Sequence, residues 1–358
     1  MQESFEISSS SKTYPIVIGY GVLENASLDG DIVFLVDSFF RNDEFFADKK
    51  CVFIDANEQS KSLENLPAIF VKLKKLHSNK NTLFVVVGGG TLQDLGTFCA
   101  SVYMRGVNWI YVPTTLLSMV DSCVGGKSSV NVGNSKNLVG NFHPPDRIFI
   151  DPYYLNTLPL EHLIGGGFEA EKICYAKNEK AYSDYLTLFS NESCDVEYDK
   201  LISFSLKTKK WFIEVDEFDK KERLLLNFGH TFGHALESAS NYQIIHGLAV
   251  GIGMLASIEF AKRADLINDL GVKRVHALER SIKASLSKLN SLTNIELDVA
   301  HLAEYFESDK KHLSSAYRIV CPVRDGDLEL ISLDRSPNSI SKVRVALSEA
   351  LLSIGFKL

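Results

Sequence analysis

Asn227-Phe-Gly229-His230-Thr-Phe-Gly233-His234 places two histidines four residues apart, on one face of a helix. Neutral imidazoles at that spacing can share a divalent metal. A third histidine follows in Ile245-His246-Gly247. Upstream, Gly166-Gly-Phe-Glu169-Ala-Glu171-Lys172 sets two carboxylates beside a lysine. His230, His246 and either Glu169 or Glu171 can make a three-ligand set with one open position, the pattern of a catalytic zinc. Spacing alone leaves His234 and His246 as alternatives for the second histidine ligand. The plainer reading of the same residues is helix-facing histidines satisfied by hydrogen bonds.

Two further segments point to anions. Val85-Val-Val-Gly88-Gly89-Gly90 is a strand running into three glycines, followed by Thr91-Leu-Gln93-Asp94 and a helical pattern. Such glycines let the backbone approach a pyrophosphate, and the next helix N-terminus supplies N–H donors. The spacing is not the usual GxGxxG, and a tight turn alone would also explain it. Val112-Pro-Thr114-Thr115-Leu-Leu-Ser-Met-Val-Asp121-Ser-Cys-Val-Gly125-Gly126-Lys127 joins polar groups, an acid, two glycines and a lysine. Lys136-Asn137 and His143-Pro144-Pro145 follow it. Lysines near glycine turns suit phosphate or carboxylate, although loop lysines are commonly just solvated.

These residues need a scaffold. Short apolar runs at Ile32–Val36, Cys51–Ile54, Leu83–Val87, Trp109–Val112 and Arg147–Ile150 predict strands buried on both faces, with helical patterns such as Leu63–Leu76 between them. Strand–helix alternation indicates an α/β layer domain. From about Leu160 the patterns are helical: Phe168–Leu188, Lys200–Val215, Thr231–Ala239, Gly247–Ala261, Lys273–Leu289 and Val299–Phe306. A short β-like pair, Tyr317–Cys321 and Asp327–Ile331, follows. The shift puts a domain boundary near Pro152–Pro159, dividing the chain into 1–158 and 159–358.

The chain has 358 residues and a net charge of −7, with 45% hydrophobic residues. That supports two cores and excludes disorder as the main state. The acidic balance argues against nucleic-acid partners. The N-terminus has neither a basic start nor an apolar run, so no signal peptide is expected. The most apolar long stretch, Gly247–Ala261, carries Glu259 and is shorter than the ~20 residues of a spanning helix, so a buried core helix is expected rather than a membrane partner. Cys51, Cys99, Cys123, Cys174, Cys194 and Cys321 are scattered without a CxxC and read as reduced thiols of a cytoplasmic protein.

Taken together, the segments GGGTLQD, YMRG, VPTTLLSMVDSCVGGKSSVN, KNLVGNFHPP, GGFEAEK, RLLLNFGHTFGHALE and IHGLAVGIGM are similar, in order and spacing, to the 3-dehydroquinate synthase family of the sugar phosphate cyclases. The resemblance implies an α/β N-terminal Rossmann-like nucleotide-binding domain and an all-α C-terminal metal-binding domain, with the active site in the cleft. It implies one divalent metal, zinc or alternatively cobalt, on Glu169, His230 and His246, with His234 facing the substrate phosphate instead. NAD would lie against Asp37, Glu58, Lys61, Gly89, Gly90, Asp94, Thr114, Thr115 and Lys136. The substrate, a phosphorylated sugar acid, would meet Asp121, Lys127, Asn137, Lys172, Lys209, Asp219, Arg223, Asn227, His234 and Lys310, with Lys311 an alternative to Lys310. Arg105 would come from the partner subunit of a homodimer. The implied reaction turns 3-deoxy-D-arabino-heptulosonate 7-phosphate into 3-dehydroquinate and phosphate, a lyase step of the shikimate route. It runs through transient NAD-dependent oxidation, phosphate β-elimination, re-reduction and aldol closure.

Several positions depart from the family pattern. Gln93 stands where a glycine is usual and could crowd the helix–strand packing. Asn57 replaces a glycine before Glu58. Asp219 replaces a glutamate upstream of Arg223, which lengthens a contact by ~1.5 Å unless the backbone compensates. Leu248 replaces a glutamate, and Ser128-Ser129 a Thr-Gly pair. These changes keep open a cyclase acting on sedoheptulose 7-phosphate or glucose 6-phosphate. A metal-dependent polyol dehydrogenase shares the architecture but would not need the phosphate-binding set.

Overall fold

The computed structural model describes residues 2–133, 135–189 and 196–357. Cys194 lies outside them. The chain divides into two compact units, Met1–Leu158 with Tyr198–Leu206, and Pro159–Glu197 with Lys207–Leu358.

The first unit is built on a seven-stranded sheet. Its strands are β1 (Glu3–Ser8), β2 (Thr13–Ile18), β3 (Ile32–Asp37), β4 (Cys51–Ile54), β5 (Leu83–Gly88), β6 (Trp109–Pro113) and, after the small ribbon β7 (Val130–Val132) and β8 (Ser135–Val139), β9 (Arg147–Ile150). The order is β1-β2-β9-β6-β5-β3-β4. All neighbours are parallel except β1, which is antiparallel to β2. Five of the seven strands, β3, β4, β5, β6 and β9, are the apolar runs expected from the sequence, and β6 is buried throughout. β1 and β2 escape that reading because β1 alternates between exposed and shielded residues around Phe5 and Ile7, as an edge strand does. Helices α1 (Leu66–Lys75) and α2 (Gly90–Val102) complete the α/β layers. From β3 the chain passes to β4 on one side and then to β5 on the other. The C-terminal ends of β3 and β5 therefore flank a topological switch point, where doubly wound sheets bind ligands.

The second unit holds α3 (Leu160–Lys177), α4 (Glu179–Phe189), the C-terminal part of α5 (Tyr198–Val215), α6 (His230–Ala239), α7 (His246–Arg263), α8 (Asp269–Leu286), α9 (Val299–Glu307) and α10 (Pro337–Leu352). Its one hairpin among the described residues is β10 (Ala316–Val323) with β11 (Asp327–Asp334), so the unit is helical apart from the β-pair seen in the sequence. The single helix expected over Phe168–Leu188 is two. Asn178 interrupts it, its side-chain oxygen accepting Ala181 N–H at 2.8 Å to start α4, as a cap does. α8 begins earlier than expected because Asn268 accepts the N–H groups of Leu270 and Gly271, both at 3.0 Å. No described helix is long and apolar enough to cross a membrane. α7 is buried in the helical core instead.

Two glycine crossings set the spacing of that core. A Cβ on Gly247 of α7 would sit 2.5 Å from the backbone carbonyl of Gly165 in α3. One on Gly253 would sit 2.0 Å from the carbonyl oxygen of Gly229, just before α6. Only hydrogen fits at either point. Gly165 lies about one turn before Glu169, Gly229 precedes His230, and Gly247 follows His246. Close backbone approach thus delivers all three side chains to one place.

Candidate active site

In the helical unit, Glu169 is fully buried on α3. Its Oε1 lies 3.3 Å from His246 Nε2 and 3.8 Å from His230 Nε2. Oε1 nonetheless accepts no hydrogen bond of acceptable geometry. The other carboxylate oxygen pairs with Lys172. The candidate ligand atoms of Glu169, His230 and His246 lie within 4.8 Å of one another. An orphaned buried carboxylate oxygen facing two imidazole nitrogens fits a divalent cation with N/O ligands. Charge agrees with geometry. Burial works against a charge on His246, but the carboxylates of Glu169 and Glu237 override it and hold the ring up to about 10. These acids select a cation. Burial, reinforced by Lys172 and Lys311, pushes His230 well below the usual imidazole range, leaving it neutral.

His234 lies beside this set and belongs to a second candidate group with Glu237 and His246. Its Nδ1 lies 2.9 Å from Asp309 Oδ2, and burial is the main reason its pKa is lowered. Around it, Lys311 is half-buried while Lys310 is exposed. Burial brings Lys311 down to about 8, and its charged neighbours include Asp309, Lys172 and Glu169. Lys311 acts on the histidine cluster, its charge among those that lower His230 and His234. Glu171, the other carboxylate considered as a ligand, points elsewhere: Tyr182 Oη donates to it at 3.0 Å, and burial pushes it up to about 7.

Arg223 and Lys209 are both buried. Asp219 lies within ion-pair distance of Arg223 Nε, at 2.9 Å. The Asp219 backbone is in the left-handed region, at φ 55°. Asp216 builds this turn, accepting the N–H groups of Lys220, Lys221 and Arg223 at 2.9, 2.7 and 3.2 Å. Asn227 Nδ2 donates to Leu224 O at 3.0 Å. Leu248 is buried in α7 beside Gly165, so an apolar side chain suits its place.

In the α/β unit, Asp37 ends β3 and Gly88 ends β5, with Gly89 capping α2 and Gly90 beginning it. A Cβ on Gly89 would meet Thr115 Cγ2 at 2.9 Å, and Thr114 N donates to Gly88 O at 3.1 Å. Lys61 is buried and bonds Asp94 Oδ2 at 3.0 Å and Asn137 Oδ1 at 2.8 Å. Burial lifts the Asp94 carboxyl to about 6 against the pull of Lys61. Glu58 approaches Lys61 and Lys136, each at 3.8 Å. Asn131, not singled out in the sequence, ties this group together. It donates to Glu58 Oε1 at 2.8 Å and accepts Asn137 N–H at 2.8 Å. Asn57 needs no glycine conformation, since its side chain accepts Ser60 N–H at 2.9 Å. Ser128 bonds Asn141, and Ser129 bonds Asn137.

Gln93 does not crowd the sheet. It is 4% exposed, and Gly96, one turn on, makes the close approach to Val86. Its Nε2 donates to Ser122 O and its Oε1 accepts Ser122 Oγ–H, both at 2.7 Å. Ser118–Ser122 is a π-turn closed by Cys123 N–H to Ser118 O at 3.0 Å, a geometry that recurs at functional sites. It carries Asp121, and Lys127 follows the left-handed Gly125 and Gly126. Ser205 Oγ donates to Val120 O at 3.0 Å, anchoring the start of α5 in this unit. Arg105 joins none of these groups. It is exposed, past the C-terminal end of α2 at φ 65°, with the glycine turn at the other end of that helix.

Residues 51–165 match the model of the 3-dehydroquinate synthase N-terminal domain and residues 166–312 that of its C-terminal domain. The 3-dehydroquinate synthase of Dictyoglomus thermophilum is 33% identical over 92% of this chain and 94% of its own. The chain belongs to the 3-dehydroquinate synthase family. The Clostridium perfringens family member is 36% identical over 75% of each chain. Two solved cyclases share the fold at 23% identity. One is 2-deoxy-scyllo-inosose synthase complexed with carbaglucose-6-phosphate, NAD+ and Co2+, at a TM-score of 0.81 over 96% of this chain and 100% of that one. The other is 2-epi-5-epi-valiolone synthase of Streptomyces hygroscopicus with NAD+ and Zn2+ bound, at 0.74 over 98% and 99%.

Proposed function

We propose that this chain converts 3-deoxy-D-arabino-heptulosonate 7-phosphate to 3-dehydroquinate and phosphate. One observation carries the reading: the orphaned Glu169 oxygen faces two imidazole nitrogens, with Lys172, Lys311 and His234 in the same cluster. A cation site edged by lysines suits a phosphorylated, hydroxylated acid better than a plain polyol. The relatives named 3-dehydroquinate synthase support the same substrate.

Glu169, His230 and His246 would hold one divalent ion, zinc or cobalt. Asp37, Gly89, Gly90, Thr114, Thr115, Lys61, Glu58, Asp94 and Lys136 would hold NAD. When bound, the ion serves as a Lewis acid toward the substrate oxygens and NAD accepts and returns a hydride, leaving no net redox change. The side chains supply the rest. Lys172, Lys209, Arg223 and Lys311 neutralise carboxylate and phosphate. His234, held by Asp309 through Nδ1, would turn its Nε2 toward the leaving phosphate. Asn137 and Asn227 orient hydroxyls, and Asp121 with Lys127 completes the polar lining. Such groups act mainly by fixing conformation and charge. Arg105 is assigned to the partner subunit of a homodimer, and the protein to the cytoplasm.

The test is phosphate release from purified protein with NAD and zinc on three sugar phosphates. Turnover of the heptulosonate phosphate, with NAD unchanged, is expected. Turnover of only sedoheptulose 7-phosphate or glucose 6-phosphate overturns the substrate assignment. Net NADH formation from a polyol would place the chain among the dehydrogenases.

A further inference from the structure

All three histidines of the cluster are anchored through the same ring atom. His246 Nδ1 lies 3.0 Å from Glu237 Oε2, His234 Nδ1 lies 2.9 Å from Asp309 Oδ2, and His230 Nδ1 lies 3.3 Å from Phe228 O. A carbonyl or ionised carboxylate oxygen only accepts, so each Nδ1 carries the hydrogen and each Nε2 of a neutral ring offers a lone pair. Those of His230 and His246 point to Glu169 Oε1. The side-chain anchors differ in place as well as identity. Glu237 sits on α6, seven residues after His230, and reaches across to the first residue of α7. Asp309 lies after α9 and reaches back to α6; its Oδ1 is fixed by the Lys311 N–H at 2.7 Å.

The same atoms contain an ambiguity. His234, Glu237 and His246 also form a set able to ligate a cation, and it shares His246 with Glu169 and His230. Glu237 Oε2 already holds the His246 Nδ1 hydrogen, which leaves His246 Nε2 turned to Glu169. The Glu237 hydrogen bond to His246 and the orphaned state of Glu169 Oε1 favour the Glu169 set.

We propose that Glu237 and Asp309 are positioning residues that divide the histidines between two tasks. Glu237 fixes the tautomer and ring plane of His246 for metal binding. Asp309 does the same for His234, keeping it out of the metal set and turned toward the substrate. Outer partners of this kind typically change metal affinity by about 10–100-fold. The inference rests on the metal assignment made above, and the zinc-affinity part of its test is independent of substrate identity.

The experiment measures Zn2+ affinity of the metal-free protein by competition with a chromophoric chelator at one pH, with circular dichroism as the folding check. Glu237→Ala is expected to weaken zinc binding by about 10–100-fold. Glu237→Gln, whose amide oxygen can still accept from Nδ1, is expected to lose less, and it stands in should the alanine variant not fold. Asp309→Ala is expected to keep wild-type zinc affinity within about twofold while raising the KM for the phosphorylated substrate. Folded Glu237 variants with wild-type affinity overturn the proposal, as does an Asp309→Ala loss equal to that of Glu237→Ala. A Glu237→Ala variant as severe as His246→Ala would make Glu237 a ligand and favour the second set. If wild-type protein does not bind zinc, or Glu169→Gln leaves its affinity intact, the underlying metal assignment fails instead.

Discussion

Gly247→Ala tests whether helix spacing, rather than ligand identity alone, makes the metal site. The added methyl would lie 2.5 Å from the carbonyl carbon and oxygen of Gly165 and 2.6 Å from its Cα. Ordinary contacts of this kind begin near 3.4 Å, so α3 and α7 must separate by about 0.9 Å. The obstructing atoms are backbone, and no rotamer change relieves them. Overpacking of this order costs about 1–3 kcal/mol, partly offset by up to about 1 kcal/mol of helix propensity gained from alanine. The site is more sensitive than the fold. Glu169 and His246 lie on the two helices being forced apart, and metal–ligand distances tolerate only about 0.2 Å. The expected result is a lowered urea midpoint and at least tenfold weaker zinc binding in the chelator competition. Gly167→Ala is the control on the same helix, because a Cβ there meets nothing within 4 Å. It should gain about 0.4–1 kcal/mol and leave zinc affinity unchanged. If Gly247→Ala retains wild-type stability and zinc affinity, close helix approach does not hold the site together.

Three other outcomes follow from the geometry. His246→Ala should lose the metal and His234→Ala retain it, as read by metal analysis after dialysis; the reverse result would exchange their roles. Gln93→Leu removes both bonds to Ser122 at similar volume and leaves Ser122 O without its donor, so unfolding in urea should show a loss of about 1–3 kcal/mol. An unchanged midpoint would mean the pair contributes nothing. Asp216 is opposed by burial, but the N–H groups of Lys220, Lys221 and Arg223 override it and hold its carboxyl below the ordinary value of 3.8. Its stabilising contribution is therefore fully present above pH 3.8 and lost as pH falls through the lower folded-state value. The gap in urea midpoint between wild type and Asp216→Asn should close on acidification below pH 4, and a gap that widens there contradicts the sign.

Much of the scaffold was legible because hydrophobic patterning is a local property. Five of the seven strands of the α/β sheet announce themselves as apolar runs, and β4 and β9 fall at the expected residues. The half-exposed β1 did not, and the single helix expected over Phe168–Leu188 hid a break that depends on one side-chain bond from Asn178 to Ala181. The candidate metal residues were also legible as a set, since two histidines four apart and an acidic segment are visible in the chain.

Choosing among them was not a local matter. Spacing left Glu169 and Glu171 equivalent, yet one faces the imidazoles and the other is buried against Tyr182. It left His234 and His246 equivalent, yet one bonds Asp309 while the other bonds Glu237 and faces Glu169. Glu237 lies seven residues beyond His230 and three beyond His234, a helical-face signal that could have found it. Two departures from the family pattern have local partners that the chain order does not show: Asp219 lies 2.9 Å from Arg223, and Gln93 bonds Ser122. By itself, then, the sequence determined which chemical groups are available and which segments carry them. Only tertiary structure decided which groups meet. The approach of Glu169 to His230 and His246 depends on close helix contact at glycine crossings, and those contacts are set by backbones far apart in the chain.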